Sequence, residues 1–412
     1  MKKRIYILDD ISSSLKNGVG TYVKELFGCI SLSDMDICLV GFNSDIEELN
    51  IEYSMDGTLK KISFPPFPTS QYTEYANVFI KIFQIYIPDI VENTFMINHS
   101  PCKTMVEIMK KAYVKSKIVF TIHDLSWTSF CLGDVDKFKQ IICGKECKST
   151  ISKQIFKLYE EERETFKLVD FIVCLSQDTF DLLLSHYHIC PQKIFYIPNG
   201  ISLQEEVCNN VTCKKELRKK YFIGENEKLI LFVGRPTIQK GIYALFAALN
   251  GVLAMYPDCH LIIAGRISYN EMEKLMKISP SCASRISFLG LLNKECLKEW
   301  YIMSDIGVIP SYYEQCTYVG IEMMMYKLPV VASDGFGVQN MFHYNVNAEI
   351  AAIENREFGG EKYIQNLTKA IIHLLSHPEI KEKYREAGWN LFQQRFELKQ
   401  MKKGYQRLFS ML

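Results

Sequence analysis

The sequence has no CxxC cysteine pair, no excess of charge of either sign and no long apolar run near its start. The first apolar run, residues 5–8, is far too short for a signal peptide or a membrane span and indicates a buried strand. Lys and Arg total 48 and Asp and Glu total 47, so no strong overall field attracts nucleic acid or an anionic membrane. We therefore expect a cytoplasmic protein that binds no nucleic acid and recognises phosphate only locally.

The fourteen cysteines are scattered along the chain. The closest spacing of interest, between Cys143 and Cys147, is not the pattern of a common metal site. Free thiols that behave as small buried apolar residues are the expected state in a reducing compartment.

Short apolar runs alternate with longer amphipathic stretches, which is typical of parallel strands joined by crossover helices. The length of 412 residues favours two domains. The turn at Pro198-Asn199-Gly200 separates them, which gives an N-terminal domain over 1–200, a second over 201–390, and a helix over 391–412 that returns to the first domain. The expected strands are 4–8, 37–42, 90–93, 117–122, 171–175, 194–197, 229–233, 260–264, 286–289 and 306–309. The expected helices are 21–30, 102–113, 152–168, 241–256, 270–278, 293–303, 379–396 and 398–411.

Open parallel sheets bind ligands beyond the carboxyl ends of their strands. Two such domains facing each other would form a cleft, with one ligand held by each domain. This reasoning directs attention to the loops that directly follow expected strands.

The first of these loops follows the strand that ends at Val233 and contains Gly234, Arg235 and Lys240. Two cations at a strand's carboxyl end can neutralise a diphosphate, because Arg235 offers a forked set of donors and Lys240 a movable point charge. Taken alone, a pair of solvated surface charges is the commoner explanation.

The second loop contains Glu314, and a second carboxylate, Glu322, follows eight residues later inside an expected helix. If that helix begins near Thr317, the amides of Thr317, Tyr318 and Val319 lie at its positive end and can bind a phosphate oxygen. A loop residue and a solvated helix position would explain the two carboxylates equally well. Glu322 nevertheless stands in an otherwise apolar run and would need a partner if buried.

Two weaker signals lie in the first half. Gly18 and Gly20 precede an expected helix, and glycines there let the main chain approach a ligand, but Val23 replaces the third glycine of the dinucleotide fingerprint. His123 ends an expected buried strand, where a ligand-binding residue would lie, although a structural histidine is the commoner case.

Together these segments resemble the family 4 retaining glycosyltransferases of GT-B fold, over nearly the whole chain and in the expected order. The E-x7-E element of that family is matched by Glu314 and Glu322, and a Pro-Val-Val-Ala-Ser continuation follows at 329–333. Further similar blocks are Val233-Gly234-Arg235 with Lys240-Gly241, Ile262-Ile263-Ala264-Gly265 and Phe288-Leu289-Gly290.

The resemblance implies a role for each candidate. Arg235 and Lys240 would hold the diphosphate of a nucleotide sugar, Glu322 its ribose and Glu314 the transferred sugar. The mobile glycine loop would contain Gly18 and Gly20, His123 would stand beside the sugar, and Arg266 would be a weaker contact to the nucleotide. The chain departs from the family where Gln315-Cys316-Thr317 replaces a frequent Pro-Phe-Gly run and where Lys327 replaces a common glycine.

The expected function is metal-independent, retaining transfer of a hexose-type sugar, with UDP as the favoured nucleotide. Asp34-x-Asp36 and Asp134-x-Asp136 lie outside the donor segments, so no metal or other cofactor is expected. A non-catalytic nucleotide-sugar-binding subunit, a nucleotide-sugar epimerase and a phosphorylase that uses pyridoxal phosphate remain alternatives. The acceptor stays open among saccharides, lipid-linked molecules, peptides and small molecules. Segments 103–117 and 137–157 mix basic and apolar residues, which allows peripheral contact with the inner membrane face but favours solvated helix faces.

Overall fold

Two separate β-sheets organise the chain in the computed structural model, which describes residues 4–14, 18–30, 35–67, 72–89, 92–99, 102–144, 149–203, 211–354 and 360–412. The chain divides into two units around these sheets. The first unit consists of Met1–Phe130, Asp136–Ser202 and Leu398–Leu412, and the second of Cys131–Val135 and Leu203–Glu397. Residues 391–397, which the sequence assigned to the returning helix, thus belong to the second unit.

The sheet of the first unit has the order β3-β4-β2-β1-β5-β6-β7-β8, and only the pair β3 and β4 is antiparallel. Its central strands are buried along most of their length, as strands covered by helices on both faces must be. The strands are β1 (Arg4–Asp10), β2 (Asp36–Phe42), β3 (Asn50–Tyr53), β4 (Leu59–Ser63), β5 (Asn93–Ile97), β6 (Lys117–Ile122), β7 (Phe171–Cys174) and β8 (Ile194–Tyr196).

The strand expected over 90–93 is displaced in the structure. Strand β5 covers Asn93–Ile97, and all five of its residues are buried. It pairs in parallel with β1, from Arg4 opposite Asn93 to Leu8 opposite Ile97. The polar residues Asn93 and Thr94 obscured the start of this strand in the sequence, and Ile90 lies outside the described residues.

The helices of the first unit are α1 (Ile11–Ser14), α2 (Gly18–Ile30), α3 (Tyr72–Tyr86), α4 (Lys103–Ala112), α5 (Ser126–Cys131), α6 (Val135–Ile142), α7 (Thr150–Leu168), α8 (Gln177–Ser185) and α16 (Leu398–Phe409). Helix α16 buries Met401, Tyr405 and Leu408, which recur at the spacing of one helix face. Its start is held by the backbone amide of Leu398, which donates to the carbonyl oxygen of Ile201 at 2.9 Å.

The sheet of the second unit is parallel throughout, in the order β11-β10-β9-β12-β13-β14. Its strands are β9 (Lys228–Val233), β10 (Cys259–Ala264), β11 (Ile286–Gly290), β12 (Ile306–Ile309), β13 (Val330–Ser333) and β14 (Ala348–Ala351). Its helices are α9 (Val211–Lys220), α10 (Ile242–Met255), α11 (Tyr269–Ile278), α12 (Lys294–Met303), α13 (Tyr318–Met325), α14 (Glu361–Ser376) and α15 (Pro378–Leu391).

The core of the second unit lies between this sheet and the helices α10 and α14. Apolar residues such as Phe232, Leu245, Ile263 and Leu367 pack there with almost no exposure to solvent. Burial of this apolar surface is the main stabilisation of the unit. None of the helices in the described part of the chain is long and apolar enough to cross a membrane.

Candidate functional site

The loop between β9 and α10 lies tightly against the segment that follows β12. Gly241 adopts the left-handed conformation, with φ 68°, as the N-cap residue of α10. A Cβ atom at this position would stand 1.8 Å from the carbonyl oxygen of Pro310. The amide of Tyr312 also donates to the carbonyl oxygen of Gln239 at 2.9 Å. Only glycine fits this close approach, which places Lys240 beside the loop that contains Glu314.

Lys240 and Glu314 form an ion pair through Nζ and Oε1. The same carboxylate oxygen accepts a hydrogen bond of 3.0 Å from the hydroxyl of Ser311. The side chain of Lys240 is 28% exposed and that of Glu314 is 12% exposed. The structure thus joins two residues that the sequence assigned to the diphosphate and the sugar, and it adds Ser311, which the sequence analysis did not single out.

The backbone of Glu314 is fixed by the loop that follows β13. Its amide donates to the carbonyl oxygen of Phe336 at 2.9 Å. Gly337 adopts φ 75°, and a Cβ atom there would stand 1.8 Å from the carbonyl oxygen of Glu314. These contacts fix the main chain from which the Glu314 side chain projects.

Helix α13 begins at Tyr318, with Thr317 as its N-cap residue. The side chain of Thr317 makes no capping hydrogen bond, and the first turn contains no acidic residue. The positive end of the helix therefore receives no neutralising group from its own first residues, as an anion-binding helix terminus requires. Val319 belongs to the same first turn, and the helix starts one residue later than the sequence suggested.

Glu322 lies on the second turn of α13, and its Oε2 atom accepts a hydrogen bond of 2.7 Å from the hydroxyl of Tyr301. Burial raises the pKa of Glu322, whereas the Tyr301 hydrogen bond and the nearby Lys294 lower it. Glu322 and Glu314 thus have different partners. The expected partner of this buried carboxylate is Tyr301, a residue of α12.

Arg235 and Arg266 are both exposed and make no side-chain hydrogen bond or ion pair with the described residues. The strands that precede them are neighbours, with Val233 opposite Ala264. Each arginine stands two residues beyond this pair, at the carboxyl edge of the sheet. Gly234 links β9 to Arg235 and adopts φ 135°, a conformation that glycine tolerates best.

His123 follows β6 in the first unit and is half-buried. Its Nε2 atom lies 3.2 Å from Oδ1 of Asn98, and its ring meets the ring of Tyr22 edge-on at 4.6 Å between centroids. Burial lowers the pKa of His123 to about 3, so the imidazole is neutral at physiological pH. Since Asn98 Oδ1 only accepts, Nε2 carries the hydrogen and Nδ1 is left as an acceptor.

The interpretation of Gly18 and Gly20 as a loop before a helix is wrong. Helix α2 begins at Gly18, and both glycines lie in its first turn. The expected start at residue 21 was late because glycines are poor helix formers. Residues 16 and 17 of the same motif lie outside the described residues.

Every cysteine among the described residues is a free thiol. Cys143 is exposed, and Cys147 lies outside the described residues. In the described part of the chain no three His, Cys, Asp or Glu side chains converge as metal ligands would. Independence of metal and cofactor stays a prediction.

Two family models match consecutive parts of the chain. Residues 16–205 match the model described as Glycosyltransferase Family 4, and residues 214–390 match the model described as Glycosyl transferases group 1. The first match takes in His123, and the second takes in Arg235, Lys240, Glu314 and Glu322.

Curated relatives share part of the sequence. An uncharacterised glycosyltransferase of Methanocaldococcus jannaschii is 31% identical over 238 residues, which cover 55% of this chain and 60% of the relative. An alpha-D-kanosaminyltransferase of Streptomyces kanamyceticus is 25% identical over 226 residues, which cover 55% of this chain and 56% of the relative. The chain thus matches less than two thirds of the length of these relatives.

Solved structures share the fold over the whole chain. A sucrose-phosphate synthase from Thermosynechococcus elongatus matches with a TM-score of 0.76 at 18% identity, covering 100% of both chains. HepE from Anabaena, in complex with UDP and glucose, matches with a TM-score of 0.70 at 14% identity, covering 99% of this chain and 100% of the other. They confirm the expected GT-B class of two Rossmann-like α/β domains. With the two family matches, the chain belongs to the group 1 glycosyltransferases of family 4.

Proposed function

We propose that this chain transfers a hexose-type sugar from a UDP sugar to an acceptor, with retention of anomeric configuration and without a metal ion. One observation carries the proposal. The Lys240–Glu314 pair, which follows β9 and β12, precedes the uncapped end of α13. A cation, a carboxylate and a helix terminus are the groups that a nucleotide diphosphate and its sugar require.

The chemistry follows from charge. Breaking the anomeric bond leaves negative charge on the departing diphosphate, and fixed cations and amide dipoles that meet this charge lower the barrier. Lys240 and Arg235 supply the cations, and the start of α13 supplies the dipole. Glu314 accepts hydrogen bonds from hydroxyls of the transferred sugar. The acceptor attacks from the face that the diphosphate leaves, and a phosphate oxygen takes its proton.

His123 has a role that rests on the resemblance and on its own geometry. Its Nδ1 lone pair suits a hydroxyl donor, and its neutral ring adds no positive charge beside a sugar that is itself becoming positive. We therefore propose that His123 accepts a hydrogen bond from the transferred sugar. The free thiols of the described cysteines suit the cytoplasm, and a saccharide, a lipid-linked molecule or a peptide serves as acceptor.

Nucleotide preference is tested by thermal unfolding of the full chain with UDP-, GDP-, ADP- and dTDP-glucose. A ligand that binds only the native state raises the unfolding temperature, and we expect the UDP sugar to give the largest rise. Lys240→Ala and Glu322→Ala should abolish this rise. Lys274→Ala is the matched control, because this lysine is 65% exposed on α11 and pairs only with Glu271 among the described residues.

Transfer is then followed by product analysis with and without a chelator. The proton spectrum of the first product should show the anomeric configuration of the donor, and the chelator should leave the rate unchanged. Undiminished turnover in both Lys240→Ala and Glu322→Ala would refute the site. Conversion of the donor without any acceptor would favour an epimerase, and binding without turnover would favour a non-catalytic subunit.

A further inference from the structure

Tyr301 and Glu322 form a carboxylate site whose geometry is fixed before a ligand arrives. Glu322 lies on α13 among the buried residues Ile321, Met323 and Met324 of the chain, and burial of its own carboxyl raises its pKa. The hydroxyl of Tyr301 donates to Oε2 at 2.7 Å. The other oxygen, Oε1, makes no hydrogen bond with the described residues and is left for a ligand.

The ring of Tyr301 cannot turn away from this position. It is 2% exposed and stacks on the ring of Tyr326, with 5.3 Å between centroids and 14° between planes. Tyr326 is the C-cap residue of α13, so the stacking joins α12 to the end of the helix that carries Glu322. A buried hydroxyl held in this way directs the carboxylate with little loss of side-chain entropy on binding.

We propose that Tyr301 is the positioning residue of the nucleoside subsite, which orients Glu322 to receive the two ribose hydroxyls. This inference rests on the proposed function. A ribose diol offers two O–H donors, and only an ionised carboxylate accepts both without presenting a hydrogen of its own.

The charges that face Glu322 agree with this role. Burial favours the protonated carboxyl, and Tyr301 and Lys294 of α12 oppose that effect. Tyr326 also lies close enough for its own pKa to be raised by Glu322, after the larger effect of burial. Removal of the Tyr301 hydroxyl therefore raises the pKa of Glu322 further, and the loss of ligand binding on acidification begins at a higher pH.

The test is calorimetric binding of UDP and of 2′,3′-dideoxy-UDP to the wild-type chain and to Tyr301→Phe, between about pH 5.5 and pH 8. Phenylalanine retains the stacked ring. We expect about tenfold weaker binding of UDP at neutral pH, as the loss of one charge-assisted hydrogen bond implies, and a wider gap at acid pH. Binding of the dideoxy nucleotide should not change, because it lacks the hydroxyls that Glu322 receives.

Two further variants separate this role from a general structural effect. Tyr221→Phe removes another tyrosine-to-glutamate hydrogen bond, to Glu299 on the same helix α12, and should leave UDP binding unchanged. Glu322→Gln should weaken UDP binding and leave only the pH dependence that comes from the terminal phosphate of UDP. Added to that variant, Tyr301→Phe should cause little further loss.

Three results would overturn the inference. Tyr301→Phe could bind UDP with wild-type affinity and the same pH dependence. It could also lose affinity for UDP and for the dideoxy nucleotide by the same factor. In either case the wild-type chain still binds UDP, and the proposed function stands. A wild-type chain that binds none of UDP, GDP and ADP would instead overturn the proposed function and this inference together.

Discussion

Lys240 and Glu314 neutralise each other in an ion pair, although one is expected to serve the diphosphate and the other the sugar. Glu314 also keeps a hydrogen bond from Ser311. A diphosphate that approaches Lys240 must therefore compete with a carboxylate that is already in place. The pair keeps both side chains oriented while they are largely removed from water.

This competition makes opposite predictions for the two partners. Lys240→Ala should weaken UDP binding, whereas Glu314→Gln should strengthen it severalfold, because the amide releases the full charge of Lys240. Transfer by Glu314→Gln should nevertheless fall by about a hundredfold, since the sugar loses its charged acceptor. Calorimetric binding and steady-state rates measure the two effects.

A second lysine-to-glutamate pair supplies the control for this experiment. Nζ of Lys327 lies 2.7 Å from Oε1 of Glu386, whose side chain is 51% exposed. Glu386→Gln should change neither UDP binding nor the transfer rate. Equal weakening of UDP binding by Lys240→Ala and Glu314→Gln would contradict the competition.

The close approach of Gly241 to Pro310 predicts a sharp difference between two glycine variants. Gly241 and Gly290 have almost the same φ, 68° and 66°, but a Cβ atom at Gly290 would meet no atom within 4 Å. Gly290→Ala should lower the free energy of unfolding only by the strain of an alanine in the left-handed conformation, about 1 kcal/mol. Gly241→Ala should lower the free energy of unfolding by several times more, because the loop that carries Lys240 must move. Urea unfolding measures both, and equal losses would show that the loop adapts freely.

The stability of the first unit should depend on pH through Glu162. It is buried on α7 and accepts hydrogen bonds from the amide and hydroxyl of Ser126 and from the hydroxyl of Tyr187. Burial raises the pKa of Glu162 from 4.5 to about 7 despite these donors. Folding therefore favours the protonated form. The stability that this group contributes is complete below about pH 4.5 and is lost as the pH rises to about 7.

Glutamine at this position mimics the protonated form and removes the titration. The free energy of unfolding of the wild-type chain should therefore fall relative to Glu162→Gln between about pH 4.5 and pH 7, and the difference should be constant at higher pH. Urea unfolding at a series of pH values measures it. Parallel curves for the two proteins would show that folding leaves the pKa of Glu162 unchanged.

The hydrogen bond of Tyr405 should couple the stability of α16 to that of the rest of the first unit. Its hydroxyl is hydrogen-bonded to that of Tyr22, which also lies 3.2 Å from the hydroxyl of Thr121. Tyr405→Phe should reduce stability by about 1 to 3 kcal/mol, because a buried hydroxyl loses a partner. The double variant with Tyr22→Phe should lose less free energy of unfolding than the sum of the losses in the two single variants. Tyr344→Phe is the control at a site that is 64% exposed, and additive losses would argue against the coupling.

Much of the fold follows from the sequence because apolar runs in parallel sheets are continuous and buried. Strands β6 and β12 start and end where the runs indicate, and β9 starts one residue earlier, at Lys228. Strand β3, which is mostly exposed at the sheet edge, and its antiparallel neighbour β4 lack that signal and were not predicted. The start of β5 was missed because polar side chains occupy its first two positions.

In the candidate site, too, some contacts could be predicted from the sequence and others could not. Lys240 and Glu314 could be predicted because loops at the carboxyl ends of neighbouring strands meet at one edge of a sheet. The contact of Tyr301 with Glu322 could not be predicted, because it joins residues 21 positions apart on two different helices and no periodic pattern marks it. The N-cap glycine of α10 likewise becomes meaningful only once the distance to Pro310 is known.

The position of α16 has a consequence for synthesis on the ribosome. The first unit needs Leu398–Phe409 to cover Tyr22, yet the ribosome makes this segment after the whole of the second unit. A nascent chain that stops before residue 398 thus carries a second unit with all its elements and a first unit that lacks the buried residues of α16. Domains generally fold as units during translation, so here the half that is made first is the half that matures last.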